Sequence, residues 1–382
     1  MQRVAVQPHL LRWARKRAGL DLFELLARFP KLEEWEQGEE RPTLRQLEKF
    51  AQAVFVPLGY LFLPAPPEEQ LPIPDFRTIA GREVLRPGPN LLDTIYACQE
   101  KQAWYREFAQ SSRRGKVKFV GSATINDSPE RVARTMRDTF SFSLEERRRC
   151  RGWEESLRFF SFQAEAAGVL VMISGVVGSN NRRKLDPEEF RGFALADSLA
   201  PLVFINGNDT KAARMFTLAH ELAHLWLGTS ALSDMGAAPR HSLRREEIWC
   251  NKVAAEYLVP LDELRMEYDE AEPLEDALRR LGRIFKVSSL VVLRRLLDAG
   301  KLDRDRFNEA WGIAMAGFKQ RSSSGGGNFY NTTMTRVSPR FARALMESTL
   351  EGQTLYRDAF RMLGVSKTET FHTLARKVGV QL

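Results

Sequence analysis

Asp209–Gly228, DTKAARMFTLAHELAHLWLG, is the stretch on which the reading of this chain turns. Its apolar residues recur at helical spacing. Asp209 is the expected N-cap, Thr210 the neighbouring alternative, and Gly228 the C-terminal stop. Within it, HELAH matches the H-E-x-x-H zinc pattern. Residues i and i+4 of a helix share a face, so His220 and His224 can aim two imidazoles at one ion. Glu221, one residue further round, can reach water on the metal without ligating it. A catalytic zinc site keeps a position open for that water and lowers its pKa to about 7. A hydrogen-bonded core histidine, a surface pair or a chance pattern are the competing explanations. The chain has only five histidines, however, and these two sit among Phe216, Leu218, Leu222, Ala223, Leu225 and Leu227. An uncompensated imidazole pair in such a helix is costly, which favours the metal.

A catalytic zinc usually takes three protein ligands. Downstream, Thr229–Arg245 is irregular in composition and is expected to loop past the metal. EEIWCNKVAAEYLVP, Glu246–Pro260, then predicts a second active-site helix with Pro260 as its stop. Glu247, Asn251 and Ala254 or Ala255 share one of its faces, and the small alanines allow two helices to approach closely. This helix is the natural source of the third ligand. Glu246 and Glu247 are also acids of the kind the helix dipole favours in a first turn. His241 is a weaker candidate.

Upstream, VLVMIS, FRGFALAD and APLVFIN are apolar, β-rich runs separated by turn residues and predict three strands. Before them come a long helix over 90–111 with Asn90 as N-cap, a strand-like run KVKFVGSA (Lys116–Ala123), a helix opened by Ser128 and Pro129, and a helix ended by Gly168. The expected class is α+β: a zincin-like domain with a small twisted sheet and the histidine helix, flanked by helical regions.

HELAH followed by E-x-x-x-N-x-x-A-A-x-x-x-x-P resembles the ImmA/IrrE family of metallopeptidases. The resemblance implies zinc held by His220, His224 and Glu247, with Glu246 the runner-up. It also implies Glu221 as general base and Asn251 behind a ligand. Phe285–Leu302 is similar to that family's post-protease helical segment. Residues 8–63 resemble a lambda-repressor-like helix-turn-helix of the XRE class, on the strength of Trp35-Glu36-x-Gly38-x-x-x-Pro42-Thr43 and the following LEKFAQAVFVPLGYLF. The third helix of that fold enters the major groove. Here it carries Glu33, Glu34 and Glu36, with Glu39 and Glu40 just after, and carboxylates repel phosphate. The basic residues lie on the first helix: Arg12, Arg15, Lys16 and Arg17 are the candidate DNA contacts. A DNA-binding unit and a docking module that has kept the fold stand side by side.

The 382 residues suffice for two or three domains. The expected division is 1–64 (XRE-like unit), 65–89 (Pro-rich linker), 90–310 (metallopeptidase domain), 311–333 (Gly/Ser linker) and 334–382 (helical domain). Pro64–Thr78 is a passive spacer, an extended strand that pairs with the next domain, or a strand that lies near the active-site groove. In the last region Phe341, Leu345, Leu355, Phe360, Leu363, Phe371 and Leu374 are the expected core. From Ala314 onward ten Lys and Arg face four Asp and Glu. Gly325–Gly327 lacks the rest of a phosphate-binding loop. Three well-separated cysteines, the absence of an apolar run near ~20 residues and an opening without a secretory core make a cytoplasmic protein the expectation. The net charge of +8, with 43 Arg against 14 Lys, permits nucleic-acid contact without requiring it.

The function these features imply is a zinc endopeptidase acting on a specific partner, a repressor or antitoxin, in a stress, prophage or toxin–antitoxin setting. The alternative is a non-proteolytic DNA- or toxin-binding regulator on the same fold. DNA through the N-terminal unit and a homodimer are further possible partners; a membrane is not one.

Overall fold

The computed structural model describes residues 3–68, 71–74, 87–233, 245–318 and 329–380. They fall into two compact units, Met1–Pro72 with Arg86–Asp93, and Ile73–Leu85 with Thr94–Leu382. The architecture is α+β: 18 α-helices and one four-stranded sheet among the described residues.

The first unit holds α1 (Pro8–Arg17), α2 (Leu22–Leu26), α3 (Leu32–Gln37), α4 (Leu44–Ala53) and a 3₁₀ turn, Leu58–Phe62. Local chemistry sets each boundary. Asp21 and Glu24 form a capping box on α2, and Thr43 and Gln46 form one on α4. Gly38 ends α3 at φ 84°, a left-handed position that favours glycine. Leu11, Ala14, Leu25, Phe29, Leu32, Trp35, Leu47 and Phe50 form the core. Two of the four basic residues on α1 are engaged within this unit. Arg15 donates from Nε and Nη2 to the buried Glu36 carboxylate at 2.8 and 2.9 Å. Arg17 reaches Asp93 at 3.4 Å and the Phe55 carbonyl at 3.3 Å. Arg12 and Lys16 are exposed.

The second unit contains α5 (Pro89–Ser111), which begins in the first, then α6 (Pro129–Phe140), α7 (Leu144–Arg149) and α8 (Trp153–Ala166). Strands β1 (Leu170–Ser174), β2 (Gly192–Leu195) and β3 (Leu202–Asn206) precede α9 (Lys211–Leu227), and β4 (Ala231–Ser233) follows it. Next come α10 (Arg245–Leu258), α11 (Leu261–Glu267), α12 (Leu274–Phe285), α13 (Ser289–Asp298) and α14 (Arg304–Phe318). The sheet order is β1-β3-β2-β4. β1 runs parallel to β3, whereas β2 is antiparallel to both β3 and β4. α9 packs on β2 and β3 and, on its other side, on α8 and α10. This burial on several sides explains an apolar surface that nearly encircles α9.

Four local expectations are corrected. Thr210, not Asp209, caps α9: its Oγ1 accepts from Ala213 N at 3.2 Å, while Asp209 Oδ1 accepts from Thr210 N at 2.7 Å. α5 starts at Pro89, one residue before the expected cap Asn90, because proline suits a first helical turn. Lys116–Ala123 is not a strand. Its amides go elsewhere: Val117 N to Ser198 O at 2.7 Å, and Gly121 N and Ala123 N to Leu225 O and Trp226 O at 3.0 Å. The segment thus closes the C-terminal end of α9, whose last carbonyls need such partners. Phe119 stacks on Trp226 with centroids 4.0 Å apart. The fourth correction lies in the C-terminal helices α15 (Phe329–Val337), α16 (Pro339–Leu350), α17 (Tyr356–Leu363) and α18 (Thr368–Lys377). Leu355 is 64% exposed and Phe360 only half-buried, because α17 turns Ala359, Met362 and Leu363 inward.

α15 and α16 pack on β1. Glu165, at the end of α8, ties them down. Its carboxylate accepts from Val171 N at 3.3 Å and Arg340 N at 2.9 Å, and its carbonyl accepts from Arg340 Nη1 at 3.0 Å. Burial pushes this carboxyl up to about 7 in spite of those donors and the Ser338 hydroxyl. The folded state therefore keeps a proton that the unfolded chain releases at its ordinary value of 4.5. Between these two pH values, stability falls as pH rises. Relative to Glu165→Gln, the native chain is expected to lose up to about 3 kcal/mol of stability from pH 4 to pH 8. Urea unfolding of both across that range tests this; a pH-independent difference contradicts it.

Candidate metal centre

α9 and α10 bring three donors to one point. His220 and His224 Nε2 lie 3.1 Å apart. Glu247 Oε2 is 3.2 Å from the first and Oε1 is 3.0 Å from the second. All three side chains are buried, and their potential ligand atoms lie within 4.8 Å of one another. A tetrahedral ion bound at 2.0–2.1 Å would hold its donors about 3.3 Å apart, so the set fits a zinc-like ion without rearrangement. Glu246, the runner-up for the third position, is half-buried and outside this group.

The electrostatics agree with a shared cation-binding role. Burial alone would raise the Glu247 carboxyl, but the His220 and His224 imidazoles outweigh it and hold it down at about 2. Burial opposes charge on both imidazoles. At His224 it prevails and the pKa falls; at His220 the neighbouring Glu247 carboxylate prevails and the pKa rises. Neutral imidazole and ionised carboxylate are the forms that bind metal, so the shifts at Glu247 and His224 favour binding, whereas at His220 an ion displaces a proton.

Further residues fix the donors. The Asn251 side chain, one turn beyond Glu247, faces His220 and favours its charged form. Thr229 Oγ1 lies 3.3 Å from His224 Nδ1. Such partners set tautomer and ring orientation. Glu221 is fully buried, and its carboxylate lies against β2 at Gly192. A Cβ on Gly192 would stand 3.1 Å from Glu221 Oε1, 2.6 Å from Thr217 Cγ2 and 2.9 Å from the Phe204 carbonyl. Glycine is required here by close approach rather than by backbone angle.

The helices themselves are anchored at their ends. Gly228 ends α9 at φ 70°, with Gly121 packed against it so closely that a Cβ on Gly228 would lie 3.0 Å from Gly121 Cα. Three guanidinium groups close the C-terminal end of α10. Arg137 donates to the Glu256 and Tyr257 carbonyls at 2.8 and 3.4 Å, Arg147 to Leu258 and Phe285, and Arg295 to Val259 at 2.9 Å. Cations belong at this end of a helix dipole.

Tyr257, near the end of α10, is packed in an aromatic cluster. Its ring stacks on Phe160 and Phe142 with centroids 5.2 and 6.1 Å away. His241 lies outside the described residues. Sequence reasoning did not find Thr229 or Gly192. Thr229 directly follows the Gly228 stop, and Gly192 precedes an apolar strand, but neither position carries a signature that separates it from an ordinary turn or strand glycine.

Residues 164–297 match the peptidase M78 family model, described as an IrrE N-terminal-like domain. The match contains β1 to β4, α9, α10 and all three donors, and supports a relationship to the ImmA/IrrE family. Residues 337–377 match a second family model, a domain of unknown function (DUF8813). No curated protein and no solved structure gives a significant match to the chain. No helix among the described residues is long and apolar enough to cross a membrane.

Proposed function

We propose that the chain is a zinc-dependent endopeptidase of the ImmA/IrrE kind that cleaves one regulatory partner, a repressor or antitoxin. The observation that carries this reading is the convergence of His220, His224 and Glu247 beside a buried carboxylate, Glu221, that is not part of the donor set. Two imidazoles and a carboxylate suit zinc in a catalytic setting. When bound, the ion supplies Lewis acidity to the scissile carbonyl and makes water acidic at neutral pH. Glu221 accepts the proton of the attacking water and passes it to the leaving amine. Thr229 and Asn251 keep the imidazoles aimed. The sheet and α9 bury Glu221 on the β2 side, so its carboxylate acts in a water-poor setting where proton transfer is directed. The test is incubation of the zinc-loaded chain with the protein encoded beside it, with and without chelator. Cleavage that chelator abolishes supports the reading. An intact partner that remains bound in both samples supports the regulator instead.

The first unit we read as a protein-docking module rather than a reader of DNA. Arg15 and Arg17 are committed to Glu36 and Asp93. Glu33, Gln37 and Glu39 are exposed on or just after α3. With Arg12 and Lys16 as the outward cations of α1, phosphate contacts confined to that helix are expected to give a log–log salt slope no steeper than about −2. Gel shifts from 50 to 200 mM salt test this; a slope near −5 with sequence preference would restore the DNA-binding reading.

A further inference from the structure

Beside the donor set runs an edge of the sheet that the chain itself occupies. β4 pairs with β2 through Ala231↔Ala194, Leu232↔Phe193 and Ser233↔Gly192. In an antiparallel pair, alternate residues turn their amides outward. Leu232 is the outward one: its N–H donates at 3.1 Å to the carbonyl of Pro74, a residue 158 positions upstream by number. Ile73 is 6% exposed while Pro74 is exposed, so the segment docks by one buried side chain and one backbone bond.

The position of this edge gives the contact its meaning. Ser233 pairs with Gly192, the residue against which the Glu221 carboxylate lies. β4 opens two residues after Thr229, which holds His224. An extended chain laid on the outer side of β4 therefore runs two strand spacings, about 10 Å, from the strand that packs on Glu221. Strand addition of this kind draws affinity from main-chain hydrogen bonds and selectivity from alternate side chains. Proline lacks an N–H, so Pro74 can give its carbonyl to Leu232 and can return no donor. An incoming segment with an ordinary residue at that point makes one bond more.

We propose that Ile73–Pro74 is a built-in competitor on the substrate-docking edge: the substrate is an extended segment that offers a carbonyl to Leu232 and an apolar side chain in place of Ile73. This rests on the endopeptidase reading. The alternative, that Ile73–Pro74 merely covers an edge against aggregation, makes a different prediction.

The test uses the full zinc-loaded chain with Glu221→Gln, so that nothing is cleaved, with and without Ile73→Asp. The probe is a fluorescein-labelled peptide LPIPDFRT, the sequence of residues 71–78, titrated by anisotropy. A tethered segment competes at an effective concentration of roughly millimolar, so the peptide is expected to bind the Ile73→Asp chain about tenfold more tightly. Amide exchange at Leu232 is expected to quicken by a similar factor, about tenfold, on losing the same contact. Ile73→Gly, a milder change, repeats both measurements should the aspartate disturb folding. Equal binding to both chains, or none to either, overturns the competitor. With native Glu221, Ile73→Asp is expected to raise kcat/KM on the partner protein. If neither chain cleaves while the binding difference holds, the endopeptidase reading falls and the competitor stands.

Discussion

Glu221→Gln is expected to reduce cleavage of the partner protein by about 10²- to 10⁴-fold, the usual contribution of a positioned general base, with metal content unchanged at one ion per chain. The substitution keeps size and shape, so the close packing against Gly192 and Thr217 survives. What it removes is the capacity to take a proton. Because Glu221 lies outside the His220, His224 and Glu247 group, the ion should stay. Loss in kcat at constant metal content, by steady-state kinetics and elemental analysis of one preparation, is the expected pair of results. Turnover equal to that of the native chain would remove Glu221 from the mechanism.

Glu247→Ala is expected to abolish tight metal binding and, with it, the response of the fold to chelator. The alanine leaves His220 and His224 as two donors from one helix and removes the only donor that α10 contributes to the group. It also leaves two fully buried imidazoles without their carboxylate partner. A protein at a free metal concentration a thousand times its Kd gains about 4 kcal/mol from binding. Chelation should then lower the native chain's melting temperature by on the order of 10 °C. The Glu247→Ala chain should melt at one lower temperature whether or not chelator is present. A chelator-dependent shift of the same size in the variant would mean that the ion is held elsewhere.

The metal helix was legible because its information is local. HELAH fixes the spacing, and the stop at Gly228 and the strand runs before it need no knowledge of distant residues. Glu247 was legible through the family resemblance, whose pattern places an acid four residues before Asn251 in one helix. What escaped was set by tertiary contact. Lys116–Ala123 alternates like a strand, yet two of its amides go to the Leu225 and Trp226 carbonyls of α9 and one to the Ser198 carbonyl, partners distant in sequence. Leu355 looked like core by composition, but the inward face of α17 begins at Ala359. Gly192 and Thr229 matter only because β2 and the turn after α9 come within contact of Glu221 and His224. The basic character of α1 suggested phosphate contacts, but Glu36 and Asp93, far apart in sequence, claim two of its four cations.

The three guanidinium groups at the end of α10 bear on how small a working catalytic fragment can be. The recognised family region opens at residue 164, yet Arg137 and Arg147 come before it. A truncation there would strip two of the three arginines, and the packing of α6, from the helix that carries Glu247. Trimming to the recognisable sequence would remove part of the scaffold that positions Glu247. The minimal autonomous piece must reach back at least to α6.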